Sequence, residues 1–261
     1  MTTGLLKGLI SVVVAAVAIS GCKEGTEDPH SLIFKQKQAD AYLNFLAAHP
    51  DSSGLRLLTA QKLDSVGRFK EALQQMDTLI NEDSSKYGLW VVKGGILLDS
   101  TDTTGAQAAY SKALFQFKGE EALLAQGVIY ALKGQDTCLK IADQLVSNQA
   151  YSHYIKGLFA AQKADTAAAL PLLDQSIQLD PGFAQPYCTK ARLWMKLGQA
   201  ANAKAVVLEG LKHNAHSIEL LNTAGAVFEA MKEADSARSY YRQSLQIKPY
   251  QPVIQHKISA T

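Results

Sequence analysis

Small residues recur along this chain at Ala60, Gly94, Gly127, Gly157, Ala191 and Gly225, with spacings of 34, 33, 30, 34 and 34 residues. A second small position follows twelve residues later at Ala72, Ala106, Ala169, Ala203 and Ala237, with Cys138 taking the slot in an irregular third unit. Four residues beyond it stand the larger Met76, Tyr110, Leu173, Val207 and Tyr241. Two coupled positions that keep one period over five intervals leave the chain little freedom. It must be an array of one supersecondary unit, each copy too small to bury its own apolar face and therefore stacked on its neighbours.

The unit resembles the tetratricopeptide repeat, a helix-turn-helix with a period of about 34 residues. The slot four residues before the first small position, large or aromatic in that family, holds Trp90, Leu123, His153, Tyr187 and Leu221. Trp90, Gly94, Ala106, Tyr110, Ala113 and Leu114 form the unit nearest the pattern, and Pro50, Pro181 and Pro249 stand at junctions between units. The resemblance implies an all-α, right-handed superhelical solenoid of antiparallel helix pairs. It also explains the small residues: with no large side chain midway along either helix, the two axes approach closely and the larger residue fills the remaining gap. About six units are expected over residues 53–248, after a capping helix at 31–50 and before a short C-terminal cap at 249–261. In that cap, Val253, Ile254 and Ile258 are placed to cover the last helix. The second helix of the third unit is expected at about Asp136 to Asn148, and the shortened spacing there signals either a change of superhelical pitch or a drifted repeat without consequence.

Residues 1–21 are a different kind of polymer. Lys7 precedes a nearly unbroken apolar run from Leu9 to Ile19, too short for a membrane-spanning helix and of the length of a secretory leader's apolar core. The following Ile19-Ser20-Gly21-Cys22 resembles the bacterial lipobox, which implies cleavage before Cys22 and acylation of that cysteine. Several acyl chains, at about 0.8 kcal/mol per buried methylene, would hold the mature chain durably on a bilayer. Residues 22–30 read as a flexible tether, and an extended tether of that length keeps the body within about 30 Å of the membrane. By resemblance to proteobacterial lipoproteins, Lys23 favours the outer membrane. Periplasmic orientation is the expected one, although Glu24, Glu27 and Asp28 partly resemble the acidic surface-export signal of Bacteroidetes lipoproteins.

Composition narrows the function classes. With 26 Lys and Arg against 24 Asp and Glu, the chain lacks the basic excess that displaces counterions from nucleic acid. Its 3 Cys and 6 His form no Cys-x-x-Cys or His-Glu-x-x-His pattern, and no nucleophile elbow or phosphate-binding loop occurs. His213 and His216, three apart, read as a solvated helix end, and Cys138 and Cys188 as partly buried thiols, Cys188 the more exposed if it faces the groove. The reading calls for no catalytic residue, metal, cofactor or small-molecule substrate. What remains is a protein-binding scaffold of the cell envelope, with surface capture of peptide or glycan as the alternative.

Carrying the family's concave first-helix positions onto this sequence places Val91, Leu98, Leu124, Val128, Tyr151, Tyr154, Leu158, Arg192 and Met195 along one groove. Its centre is apolar, unlike the Lys- and Asn-lined clamps that grip acidic carboxyl termini. The segment Glu120 to Leu132 is apolar around nearly its whole circumference, so more than its two neighbours must cover it. Two readings stay open: the stripe receives a partner's helix or extended segment, with Tyr151, Tyr154 and Met195 as anchors, or a tight superhelix or folded-back terminus makes it core.

Overall fold

The computed structural model describes residues 28–260; the expected leader and Cys22 lie outside them. Among the described residues the chain is helical, without strands. Helix α1 (Leu32–Ala48) precedes six pairs: α2 (Ser53–Ser65) with α3 (Phe69–Glu82), α4 (Tyr87–Asp99) with α5 (Thr103–Gln116), α6 (Glu120–Leu132) with α7 (Thr137–Ala142), α8 (Gln149–Gln162) with α9 (Thr166–Leu179), α10 (Ala184–Lys196) with α11 (Ala200–His213), and α12 (Ile218–Ala230) with α13 (Ala234–Ile247). Helix α14 (Pro252–Ala260) closes the array.

Every first helix stops in the same way. The residues Gly67, Thr101, Gly134, Ala164, Gly198 and Lys232 all take positive φ. The amide after each returns to the carbonyl five residues earlier, as Arg68 does to Leu63 and Glu233 to Phe228, both at 2.9 Å. This closure satisfies carbonyls that the helix end would otherwise strand. Second helices α5 and α9 are capped in turn by Asp102, which accepts from the Gly105 amide at 2.8 Å, and Asp165, which accepts from Ala168 at 3.0 Å.

The small residues sit where the helices meet. Ala60, Ala72, Ala106, Ala169, Ala191, Ala203 and Ala237 are fully buried. A Cβ on Gly94 would lie 2.6 Å from the Tyr110 ring, one on Gly157 would lie 3.1 Å from Leu173, and Gly225 abuts the Tyr241 ring in the same way. In these three pairs the large residue of the second helix therefore packs on the glycine of its own first helix. Burial of such a side chain contributes about 1.5–3 kcal/mol. Trp90 is half-buried, and its indole donates to the Ser84 carbonyl at 2.9 Å.

The third unit departs from this plan. The second helix expected to reach Asn148 ends at Ala142, where amides of Gln144 and Leu145 bond three residues back and tighten the chain into a turn. Leu145 nevertheless stays buried at 1% exposure. The space that a full second helix would fill is taken by the next unit: a Cβ on Gly127 would meet Ile155 of α8 first and Ile141 of α7 only farther out. Helix α6 therefore packs directly on α8 as well as on α5 and α7.

The array also returns upon itself. Lys35 of α1 donates to the Gln246 carbonyl, 211 residues away, at 3.4 Å. The loop after α13 seats Lys248 2.7 Å from Asp99 and 3.9 Å from Asp64. Tyr250 lies edge-on to Phe69, ring centroids 5.8 Å apart, and against Gly67. One superhelical turn therefore brings the last pair back onto the first two.

Candidate protein-binding groove

First helices α6, α8, α10 and α12 pack in succession along the later units. Two interactions tie α4 to α6: Tyr87 donates its hydroxyl to Glu121 at 3.1 Å and accepts from the Ala122 amide at 3.2 Å. From the second to the fifth unit the wall opens into a recess of about 570 Å³, lined by Leu98, Glu121, Leu124, Val128, Tyr154 and Gln185. Of these, Leu98, Leu124, Val128 and Tyr154 are among the residues expected in the groove. Thr103, Ala125, Ile129, Leu132 and Lys133 complete the lining. They lie outside the periodic concave set. Leu98 and Leu132 remain 39% and 53% exposed, large apolar side chains of the kind that mark interaction sites when they cluster.

The expected groove residues divide. Val91, Leu124, Val128 and Tyr151 are half-buried, and Leu98 is open. Tyr154 and Leu158, expected in the groove, are 5% and 7% exposed and belong to the core. The reason is an intramolecular anchor: Phe183 packs against the rings of both Tyr151 and Tyr154, with centroids 4.8 and 5.1 Å away. Tyr154 still reaches the floor of the recess, and burial pushes its hydroxyl up to about 12. Arg192 is exposed and Met195 half-buried; they face a separate recess of about 210 Å³, shared with Asn222, Ala226 and, from α14, Ile254 and Lys257. The predicted continuous stripe is thus an apolar recess in the middle of the array and a second one roofed by the protein's own last helix.

Helix α14 is fastened over that end by specific bonds. Asn222 donates to Gln251 at 2.7 Å, Lys257 pairs with Glu229 at 2.5 Å, and the buried Tyr241 donates to the same carboxylate at 2.7 Å. The Lys257 ammonium, followed by the Tyr241 hydroxyl, holds the Glu229 carboxyl below the usual carboxylate range. Ile254 is buried and Ile258 packs on the same core, whereas Val253, expected to join them, points into solvent.

The cysteines differ from expectation as well. Cys188 is 2% exposed rather than open to the groove, because α10 and α12 pack directly on each other at its position. Burial raises its thiol to about 11 and also raises Cys138 above its ordinary value, which makes both poor nucleophiles. His213 stacks on Tyr187 and lies 3.4 Å from Glu209. Among the described residues, no three His, Cys, Asp or Glu side chains gather as a metal site would require.

The fold defines a class: a superhelical array of helix pairs with an apolar recess in its inner wall. Within that class, the tetratricopeptide repeat family profile matches residues 218–251, which span α12, α13 and the loop that follows. A tetratricopeptide repeat protein from Parabacteroides merdae superposes with a TM-score of 0.61 at 14% identity, over 85% of this chain and 90% of that one. PilW, described as a widely conserved type IV pilus biogenesis factor, gives 0.52 at 18% identity over 79% of this chain and 98% of that one. The Cut9–Hcn1 assembly gives 0.54 at 15% identity over 97% of this chain, which spans 52% of the matched one. Comparison with curated protein sequences returns no significant match. One unit of the chain thus matches the tetratricopeptide repeat profile, and the fold of most of the chain is similar to that of solved tetratricopeptide repeat proteins.

Proposed function

We propose that this chain is a lipid-anchored adaptor of the bacterial cell envelope, holding an apolar segment of a protein partner in the recess between α4, α6 and α8. The observation that carries the reading is the recess itself: Leu98, Leu124, Val128 and Leu132 face about 570 Å³ of open space, with Glu121 and Lys133 among the lining. An apolar wall with a few polar groups favours an amphipathic helix over an acidic peptide. The anchor rests on Ile19-Ser20-Gly21-Cys22, with Cys22 acylated, and Lys23 favours the outer membrane with the array facing the periplasm. The role is that of a scaffold and not of a catalyst. A second orientation, outward for peptide or glycan capture, draws on the acidic Glu24, Glu27 and Asp28.

Two measurements test this function. Cells fed a labelled fatty acid should label the chain, and Cys22→Ser should abolish the label and release the protein from membranes; a Cys22→Ser chain that stays membrane-bound sinks the anchor. Photo-crosslinkers at Leu124 and Val128 should trap one protein that a crosslinker at the exposed second-helix residue Gln178 does not. Equal trapping from all three positions sinks the groove. Protease shaving of intact cells separates the orientations, since a periplasmic array is protected.

A further inference from the structure

The contact between the two ends of the array is built from complementary parts. Gly67 ends α2 with φ +79, and any Cβ there would lie 2.5 Å from the Tyr250 ring. Glycine therefore serves two ends at once, the left-handed turn and the seat for an aromatic ring. Phe69 packs edge-on against the same ring. Beside this seat, Lys248 is placed between two carboxylates, at 2.7 Å from Asp99 and 3.9 Å from Asp64. Pro249, between the two contacting residues, is buried and fixes the backbone that presents them. Asp99 directly follows Leu98, a wall residue of the apolar recess.

We infer that the loop Lys248-Pro249-Tyr250 is a latch that closes the superhelical turn onto Asp64, Gly67, Phe69 and Asp99, and that its release opens the array. The charges at the seam make the closure dependent on pH. Two carboxylates face one ammonium, and one oxygen of Asp64 is buried without a partner. Burial first, and the neighbouring Asp99 charge second, raise the Asp64 carboxyl to about 6, against the opposing pull of Lys248. The other charged or titratable groups at the seam are accounted for. Lys35 of α1 donates to Gln246, with Lys62 of α2 near it; Arg68 is matched by Asp40 and Glu71; Tyr110 of α5 feels the Asp99 charge. Below pH 6, Asp64 is neutral and Lys248 balances Asp99. Above it, one uncompensated negative charge stands at a poorly hydrated site. A carboxyl whose affinity for protons is raised in the closed state makes closure take up a proton, so closure weakens as pH rises through 6. The effect of opening on partner access rests on the groove reading above, whereas the latch itself is measured without any partner.

The test is a donor–acceptor fluorophore pair across the seam, at Lys70→Cys and Gln246→Cys, in the full chain carrying Cys22→Ser, with circular dichroism reporting that helix content is kept. Efficient transfer is expected at pH 5, with the ratio of closed to open molecules falling on the order of tenfold by pH 8. Asp64→Asn, which copies the neutral acid, should stay closed at both values, and Tyr250→Ala or Lys248→Glu should open at both. Transfer that is unchanged from pH 5 to pH 8 in the parent chain, an Asp64→Asn chain that keeps the pH response, or closure that survives both Tyr250→Ala and Lys248→Glu would overturn the latch.

Discussion

The last helix pair and the third one carry the same pattern of small residues and solve it differently. In the last pair, Gly225 receives the Tyr241 ring of its own second helix, and Tyr241 in turn bonds Glu229 of the first. The unit closes on itself before it meets its neighbours. In the third, α7 is only six residues long, and Gly127 receives Ile155 from the following unit. The same glycine that elsewhere binds two helices of one unit here binds two units to each other. A repeat can therefore lose most of a helix without breaking the array, provided that its small residue is filled from next door. The cost appears as apolar surface: Leu124, Val128 and Leu132 of α6 are left facing the recess.

Substitutions should separate the two arrangements. The largest effect is expected for Leu158→Asp, which puts a charge into the core that α8 shares with α6; a loss of about 4 kcal/mol or more is expected in urea unfolding. Leu124→Asp, on the recess wall, should cost about 1 kcal/mol and keep the cooperative transition. Comparable losses for both would mean that the recess is core. Next, Gly225→Ala should cost about 2–3 kcal/mol, because the buried, bonded Tyr241 ring cannot withdraw. Gly127→Ala should fall within about 1 kcal/mol of the parent, because the end of Ile155 can turn aside and alanine favours helix. Equal costs would remove the distinction between closing within a unit and closing across units. The smallest effect concerns the turns that both units share. Thr101, Ala164 and Lys232 take positive φ without being glycine, so Thr101→Gly, Ala164→Gly and Lys232→Gly should each raise stability by about 0.5–1 kcal/mol.

Most of the array was legible because its decisive contacts are local. Gly94 meets Tyr110, and Gly157 meets Leu173, within a single unit, so the pattern of one helix pair predicts its own packing. The left-handed turn residues were legible in principle, since they repeat the spacing of the small residues, but Thr101, Ala164 and Lys232 do not look like turn formers and hide the register. The groove was legible only as a set of positions. Leu98, Leu124, Val128 and Tyr154 meet in one recess, yet Tyr154 and Leu158 are buried and Arg192 and Met195 turn to another recess, because exposure there depends on how closely successive first helices approach. Phe183, the side chain that takes Tyr151 and Tyr154 inward, lies in a junction that the periodic reading passed over.

The sequence by itself determined the repeating unit, since small and large residues at fixed intervals let two helices of one unit pack closely. It did not determine where the array ends in space. That depends on small rotations between units, accumulated over the whole chain and altered by the short α7. Only the tertiary structure brought Lys248 to Asp64 and Asp99 and set Tyr250 against Gly67. A contact across 211 residues has no local pattern to announce it, because its partners are neighbours only after every intervening angle has been summed.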